Sequence, residues 1–284
     1  MNLCDRNDIQ ALLSRHGFRF AKSLGQNFLI ESWAAEDMAA AGCPSGCGVL
    51  EVGPGIGALT VQLARRAEKV VSVELDRRLP PVLAETMSGF DNFTLVEGDI
   101  LQQDLKALVQ QHFSGLRPVL CANLPYNITT PFLTACVEAA CFDSLTVLIQ
   151  KEVAQRICAA PGTADYGAFT LLMQYYTDPE LLFTVPNTCF LPPPKVTSAV
   201  IRCRTRPAPP VQVQSEEAFW RTVRAGFALR RKTLVNSLQT GWQLPKDTLA
   251  DIVAACGLDP NIRGERLGLE EYARLSDALY SAAL

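Results

Sequence analysis

The stretch Gly48-Val-Leu-Glu-Val-Gly-Pro-Gly-Ile-Gly57 decides the fold, because in it a short β-rich run ends in three closely spaced glycines. The helical pattern Ala58-Leu-Thr-Val-Gln-Leu-Ala64 follows directly. Glycines at such a position let the chain turn sharply from a strand into a helix and let a ligand touch bare backbone. Glycine turns also occur in nicotinamide-binding enzymes and as plain tight turns, so the motif alone leaves the ligand open.

Short β-rich runs alternate with helical patterns between residues 48 and 150, which predicts βαβ units and a mainly parallel sheet. Two further β-rich runs, joined by the loop Pro192-Pro-Pro194, could close one edge of that sheet. We therefore predict an α/β fold with a Rossmann-like sheet of about seven strands. The predicted strands are 48–52, 69–74, 93–97, 118–122, 145–149, 181–185 and 198–203.

The proline-rich segment Arg204-Thr-Arg-Pro-Ala-Pro-Pro-Val211 ends the β-rich part of the chain, and helical patterns follow it to the C-terminus. Ser215, followed by Glu216 and Glu217, is typical of a capped helix start. We predict a sheet domain of residues 1–206 and a smaller helical domain of residues 207–284.

The composition is that of an ordinary globular protein, with 284 residues of which 48% are hydrophobic and 19% charged. Its apolar runs are much shorter than the roughly 18 residues needed to span a bilayer. The N-terminus has early acidic residues and no apolar signal segment, so we expect a cytoplasmic protein that does not bind membranes. The net charge of −3 argues against a generally basic RNA-binding surface, so an RNA-binding role depends on how the charge is distributed.

The ten cysteines form no C-x-x-C pair, and the chain has only two histidines, His16 and His112. Several cysteines, such as Cys121 and Cys136, lie within apolar stretches. We interpret the cysteines as reduced, buried thiols and expect no metal site.

Two acidic residues end successive strands of the predicted sheet. Glu74 follows the glycines by about 20 residues, where a carboxylate can accept hydrogen bonds from both hydroxyls of a ribose. Asp99 ends the next strand and could accept from an adenine amino group while Ile100 packs on the ring. Taken singly, each carboxylate could be a solvated strand end, and Glu74 alone fits NAD equally well. Together they favour S-adenosylmethionine.

The segment Asn123-Leu-Pro-Tyr126 follows the fourth predicted strand, at the edge of the sheet where ligands of open α/β folds react. An adenine amine is a poor nucleophile because its lone pair is delocalised into the ring. The side-chain oxygen of Asn123 and the backbone carbonyl of Leu124 could polarise it by accepting from its hydrogens. Tyr126 could stack on an extruded base. In isolation such a segment could be a simple turn, but its position beside the acidic residues favours a catalytic role.

The chain closely resembles the KsgA/RsmA family, the small-subunit (16S) rRNA adenine N6,N6-dimethyltransferases. The resemblance extends from the N-terminal segment through the helical tail, and five motifs in the expected order carry it. They are Lys22-Ser-Leu-Gly-Gln-Asn27-Phe-Leu29, Glu51-Val-Gly-Pro-Gly-Ile-Gly57, Asn123-Leu-Pro-Tyr-Asn-Ile-Thr-Thr-Pro131, Phe190-Leu-Pro-Pro-Pro-Lys-Val196 and Arg230-Arg-Lys-Thr-Leu234.

The resemblance implies a class I methyltransferase that uses S-adenosylmethionine, with residues 1–206 as the catalytic domain and 207–284 as the rRNA-binding domain. It implies transfer of four methyl groups to two adjacent adenosines near the 3′ end of small-subunit rRNA during late assembly, by a protein expected to be monomeric. Tyr126 and Phe190 would sandwich the target adenine. The expected cofactor-binding residues are Asn27, Leu29, Gly53, Gly55, Glu74, Asp99, Ile100 and Asn123.

The basic residues are concentrated late in the chain, with nine between Lys195 and Lys232 against two acidic ones. This asymmetry favours an RNA-facing surface, although a solvated helical face would produce the same pattern. We hypothesise that Arg230, Arg231 and Lys232 bind rRNA. Three positions depart from the family pattern, namely Thr129, Thr197 and Val235. At the last of these a basic residue is common in the family, so we expect Val235 to weaken the basic surface.

Three other functions are compatible with parts of this pattern. A large-subunit rRNA methyltransferase of the Erm resistance type would share the fold, the cofactor and a similar Asn-x-Pro-Tyr loop. A ribosome-assembly or transcription factor could keep the fold without the chemistry, although the intact site residues argue against this. A dehydrogenase would have no use for Asp99 or for the Asn123–Tyr126 segment.

Overall fold

The computed structural model describes residues 1–20 and 26–283. The β-strands, numbered in chain order, are β1 (Phe28–Leu29), β2 (Cys47–Val52), β3 (Lys69–Glu74), β4 (Phe93–Glu97), β5 (Arg117–Asn123), β6 (Ser144–Gln150), β7 (Thr177–Val185), β8 (Phe190–Leu191) and β9 (Ser198–Thr205). The α-helices are α1 (Arg6–Arg15), α2 (Ser32–Gly42), α3 (Ala58–Ala64), α4 (Pro80–Thr86), α5 (Leu105–His112), α6 (Thr129–Ala139), α7 (Lys151–Ile157), α8 (Ala168–Tyr176), α9 (Glu216–Ala228), α10 (Leu234–Leu238), α11 (Lys246–Ala255) and α12 (Leu269–Ala283).

Seven of these strands form one sheet in the order β4-β3-β2-β5-β6-β9-β7. Strands β4, β3, β2, β5 and β6 are parallel to one another, and β9 is antiparallel to β6. The predicted α/β fold with a seven-stranded Rossmann-like sheet is therefore confirmed. The short strands β1 and β8, which were not predicted, form a separate antiparallel pair that places Leu29 opposite Phe190.

Strand β2 lies in the interior of this sheet, and all six of its residues are buried. Strands covered on both faces have continuous apolar runs rather than alternating ones. The strand β3 lies on one side of β2 and β5 on the other, so the strand order reverses at β2. Open α/β sheets bind their ligands at the carboxyl ends of the strands at such a point. The fold thus places the glycine turn, which follows β2, at the expected binding edge.

The chain forms two compact units, one of residues Met1–Ala154 and Asp178–Thr205 and the other of residues Gln155–Thr177 and Arg206–Leu284. The sequence predicts a single domain for residues 1–206, whereas in the structure residues 155–177 group with the helical tail. The reason is packing, because Tyr166, Leu171 and Tyr175 belong to the same hydrophobic cluster as Phe219 of α9. The break after Thr205 lies within the proline-rich segment.

The predicted start of α9 is confirmed, because the Ser215 side chain accepts a hydrogen bond from the backbone N–H of Ala218 at 3.2 Å. All ten cysteines have free thiols. No helix among the described residues is long and apolar enough to cross a membrane. Residues 1–20 and 26–283 contain no group of three or more His, Cys, Asp or Glu side chains suited to hold a metal ion.

Candidate active site

A pocket lies at the carboxyl ends of β2, β3, β4 and β5, within the first compact unit. It brings together residues that are far apart in the sequence but were predicted to share one site. Of the predicted catalytic and cofactor-binding residues, those that line the pocket are Asn27, Leu29, Gly53, Gly55, Glu74, Asp99, Ile100, Asn123, Leu124 and Tyr126. The first four residues of the N-terminal motif, Lys22 to Gly25, lie outside the described residues.

The glycine turn has the backbone conformation that glycine favours, with φ values of +67° at Gly53, +60° at Gly55 and +95° at Gly57. At Gly55 an added Cβ would lie only 2.9 Å from Cδ1 of Phe28. Any side chain at this position would therefore face both backbone strain and a steric clash. The turn consequently presents backbone rather than side chains to the pocket.

Glu51 also lines the pocket, although the sequence did not predict it as a site residue. It is 1% exposed, and its Oε2 accepts hydrogen bonds from Ser72 Oγ at 2.6 Å and from Thr60 Oγ1 at 2.8 Å. Burial raises the pKa of Glu51 to about 7, the two hydroxyls oppose the rise, and the charge of Glu74 adds to it. The carboxyl group thus links β2, β3 and α3. Its place in the motif Glu51-Val-Gly-Pro-Gly was the available signal.

Glu74 ends β3 and is 7% exposed. Burial raises the pKa of its carboxyl group, while hydrogen bonds from the backbone of Asp76 and Gly55 oppose the rise. The bond from the Asp76 amide to Oε1 is 2.8 Å long. A carboxylate that is both held by backbone donors and facing a pocket is well suited to accept from ligand hydroxyls.

Asp99 and Ile100 lie at the end of β4, beside Glu74 in the sheet. The Oδ1 atom of Asp99 accepts from the backbone N–H of Leu101 at 3.0 Å, which fixes the carboxylate at the start of a 3₁₀ turn. Ile100 is buried and contributes an apolar wall. A polar acceptor and an apolar surface at one site suit the edge and the face of a purine ring.

Asn123 ends β5, and its Nδ2 donates to the backbone carbonyl of Asn27 at 3.2 Å. This bond uses one of the two amide hydrogens and fixes the orientation of the amide, and Oδ1 is the side-chain atom that accepts hydrogen bonds. The peptide of Leu124 is fixed as well, since its N–H donates to the Leu148 carbonyl of the neighbouring strand at 3.1 Å. The amide that carries one predicted acceptor is therefore oriented directly, and the residue that carries the other is anchored through its N–H.

Tyr126 is half-buried and begins a short 3₁₀ turn beside these acceptors. Its hydroxyl lies 2.7 Å from Oγ of Ser198, the first residue of β9. Burial raises the pKa of the phenol, and the Ser198 hydrogen bond partly offsets the rise. The phenol is therefore neutral at physiological pH.

An ion pair just after β3 contacts the N-terminal segment that lines the pocket. Arg78 forms a two-point salt bridge with Asp76, with Nε to Oδ1 at 2.8 Å and Nη2 to Oδ2 at 2.5 Å. The same carboxylate accepts from Gln26 Nε2 at 2.7 Å, and Arg78 Nη1 donates to the backbone carbonyl of Arg19 at 2.9 Å. Arg78 lowers the pKa of Asp76, so the pair stays charged. It thus anchors Gln26, which precedes the pocket residue Asn27.

Phe190, the predicted second face of the adenine sandwich, does not line the pocket in this structure. It is fully buried in β8, opposite Leu29 of β1. The pairing attaches it to the N-terminal segment that does line the pocket. Its predicted contact with a base remains a prediction.

Many of the basic residues between 195 and 232 are already engaged within the chain. Arg202 and Arg204 both pair with Glu180, at 2.9 and 3.1 Å. Arg230 is exposed but lies 3.4 Å from Glu265 and donates to a backbone carbonyl. A count of charges along the sequence therefore overstated the basic surface.

Arg231 and Lys232 are exposed, and neither forms an ion pair with any described residue. Val235, which replaces a residue that is commonly basic, is 3% exposed and lies in the hydrophobic cluster of the second unit. The expectation that Val235 weakens a basic surface is thus wrong, because this position faces the core.

Comparisons with known proteins identify relatives of this chain. The model of the family described as ribosomal RNA adenine dimethylase matches residues 17–278. The ribosomal RNA small subunit methyltransferase A of Geobacillus thermodenitrificans is 48% identical over 276 residues, which cover 94% of each chain.

Solved structures show the same fold. The 23S rRNA methyltransferase ErmE is 28% identical and superposes with a TM-score of 0.69 over 89% of this chain and 100% of its own. A dimethyladenosine transferase from Plasmodium falciparum shares the fold at 22% identity, with a TM-score of 0.72 over 87% of this chain and 95% of its own.

Proposed function

The chain belongs to the ribosomal RNA adenine dimethylase family, and from this premise we propose that it methylates N6 of two adjacent adenosines near the 3′ end of small-subunit rRNA. The methyl donor is S-adenosylmethionine. The observation that carries the proposal is the convergence of Glu74, Asp99 and the Asn123–Tyr126 segment on one pocket.

The described residues fit S-adenosylmethionine as the donor. The glycine turn offers bare backbone, Glu74 an acceptor for ribose hydroxyls, and Asp99 with Ile100 an acceptor and an apolar wall for adenine. When bound, the donor supplies an electrophilic methyl group on a sulfonium. The protein has to place the acceptor amine in line with that methyl group. Such positioning can account for much of a rate enhancement.

Asn123 and Leu124 act on the acceptor amine. Their two oxygens accept hydrogen bonds from the amine hydrogens, which draws electron density towards nitrogen and turns its lone pair out of the ring. The Asn27 carbonyl keeps the Asn123 amide in the orientation that this requires. No strong general base is needed, because the methylated amine can release its proton to solvent.

Tyr126 holds the target base by stacking on one face, and we assign the other face to Phe190. Base stacking on an aromatic side chain contributes about 1–3 kcal/mol and suits a nucleotide that has left its helix. Since Phe190 is buried in this structure, the assignment requires it to become accessible when RNA binds. After the first transfer the base must rebind with a single amine hydrogen, so the pocket has to admit a monomethylated amine.

The choice of the small subunit rests on similarity. The relative at 48% identity is named for the small subunit, whereas ErmE, which is named for 23S rRNA, is 28% identical. Arg231 and Lys232, with a smaller contribution from Arg230, are the proposed rRNA contacts. We assign them to the helical domain, 207–284, and place the protein in the cytoplasm, where it would act as a monomer on assembling particles.

Transfer from a radiolabelled donor to purified ribosomal particles tests the proposal. Small and large subunits from cells that lack the modification are incubated separately with the protein. We expect label on the small subunit alone, and label on the large subunit alone would contradict the proposal. The Asn123→Ala variant should bind particles but transfer no methyl group, whereas equal labelling by this variant would remove Asn123 from the mechanism.

A further inference from the structure

Ser198 contacts the aromatic side chain of the proposed base-binding site from a distant part of the sequence. It is fully buried, and its Oγ lies 2.7 Å from the Tyr126 hydroxyl, a distance typical of a good O–H···O hydrogen bond. The two residues are 72 positions apart. The contact therefore joins the segment after β5 to the start of β9.

The backbone of Tyr126 is already fixed without this contact. The preceding carbonyl, that of Pro125, accepts from the N–H of Ile128 at 3.2 Å and from Oγ1 of Thr129 at 3.3 Å. These bonds hold the 3₁₀ turn but do not restrain the two side-chain torsions of the tyrosine. A hydrogen bond at the far end of the ring does restrain them, because the hydroxyl moves furthest when the ring swings.

Ser198 is itself well anchored. It pairs with Gln150 in the antiparallel ladder between β6 and β9, and the carbonyl of Thr197 accepts from the N–H of Lys151 at 3.0 Å. Because Ser198 is held by these backbone contacts, its hydroxyl can fix the position of the more exposed Tyr126 side chain.

We propose that Ser198 is a positioning residue for methyl transfer, which fixes the plane of the Tyr126 ring so that the stacked adenine presents its amine to Asn123 and Leu124. This inference rests on the function proposed above. It gives the segment 190–198 two tasks, since Phe190 at its start and Ser198 at its end would control the two faces of the same base.

The proposal is tested by whether the effects of substitutions at Ser198 and Tyr126 on the methylation rate depend on each other. In single-turnover methylation of unmethylated small-subunit particles, we expect Ser198→Ala and Tyr126→Phe each to lower the rate about tenfold, the upper range for one hydrogen bond. The double variant should be no slower than either single variant, because both remove the same contact. The donor Kd should stay unchanged in all three, and Ser198→Thr should recover most of the rate.

Thr197→Ala provides the matched control, since Thr197 is the exposed neighbour on the same segment. It should retain the wild-type rate. As a readout independent of activity, 3-fluorotyrosine placed at position 126 should give a ¹⁹F resonance that moves in Ser198→Ala but not in Thr197→Ala.

The proposal would be overturned by a wild-type rate for Ser198→Ala, by losses that multiply in the double variant, or by an unmoved ¹⁹F resonance. A loss of donor binding or thermal stability as large as the loss of rate would also overturn it, since that marks a purely structural role. Absence of methyl transfer by the wild-type protein, with the ¹⁹F shift intact, would instead contradict the proposed function.

Discussion

Replacing Glu51 by glutamine should stabilise the protein at alkaline pH. The wild-type carboxyl group is 1% exposed and its pKa is raised to about 7, with burial as the main cause. In the unfolded chain the same group titrates near its ordinary value of 4.5. The folded protein therefore holds a proton that the unfolded chain releases between these two pH values. The free energy of unfolding therefore decreases as the pH rises from about 4.5 to about 7, and it stays at the lower value above pH 7.

The size of the effect follows from the same two values. Each pH unit between them corresponds to about 1.4 kcal/mol, so the wild-type protein should lose about 3 kcal/mol of unfolding free energy across this window. Glutamine has nearly the same shape and no charge to desolvate, and the hydroxyls of Ser72 and Thr60 can rotate to serve its amide. The variant should therefore match the wild type near pH 4.5 and exceed it by about 3 kcal/mol at pH 8.

Urea denaturation of both proteins from pH 5 to pH 8.5 measures this difference. Glu97→Gln is the matched control, because Glu97 also ends a strand but is exposed, and its substitution should leave stability unchanged across the range. A wild-type to variant difference that does not grow with pH would refute the reasoning. A Glu51→Gln protein that is less stable at pH 8 would refute it as well.

Three further substitutions test other parts of the site. Gly55→Ala should cost about 1–2 kcal/mol from backbone strain at φ +60° and more from the clash of its methyl group, and should weaken donor binding; an unchanged melting temperature and Kd would contradict this. Arg78→Ala removes the partner of Asp76 and should raise the donor Kd in calorimetric titration, whereas an unaltered Kd would show that the ion pair does not support the pocket. Neutralising Arg231 and Lys232 should weaken particle binding and reduce its salt slope by about two, with donor binding unchanged; an unaltered slope would exclude phosphate contacts.

The features that could be predicted from the sequence are local or follow from simple topology. Each strand of the main sheet is a short β-rich run between helical patterns. Once the strands are parallel, the residues after them must meet at one edge, which is why Glu74, Asp99 and Asn123 could be placed together before the structure was known.

Contacts between distant segments account for the features that could not be predicted. No periodicity relates Tyr126 to Ser198, or Asp76 to Gln26, since these pairs depend on how loops cross in three dimensions. The pairing of β1 with β8 involves two residues on each side, too few to produce a recognisable strand pattern.

A linear sequence also does not reveal which charged side chains are buried and which form hydrogen bonds or ion pairs. Glu51 could be read as an ordinary acidic residue of the glycine motif, but in the fold it is enclosed by two hydroxyl groups. Likewise a count of basic residues does not register that Arg202 and Arg204 share Glu180 as a partner. The assignment of residues 155–177 to the second unit depends on the same kind of information, because it results from aromatic packing.

Mass spectrometry of the methylated rRNA tests the central claim most directly. Unmethylated small-subunit particles are incubated with the protein and an excess of S-adenosylmethionine, and the nuclease fragments of the rRNA are then analysed. We predict four added methyl groups per particle, carried as two adjacent N6,N6-dimethyladenosines near the 3′ end. Methylation at a base other than adenine, or an unmodified small-subunit rRNA after incubation with active, donor-binding protein, would contradict it.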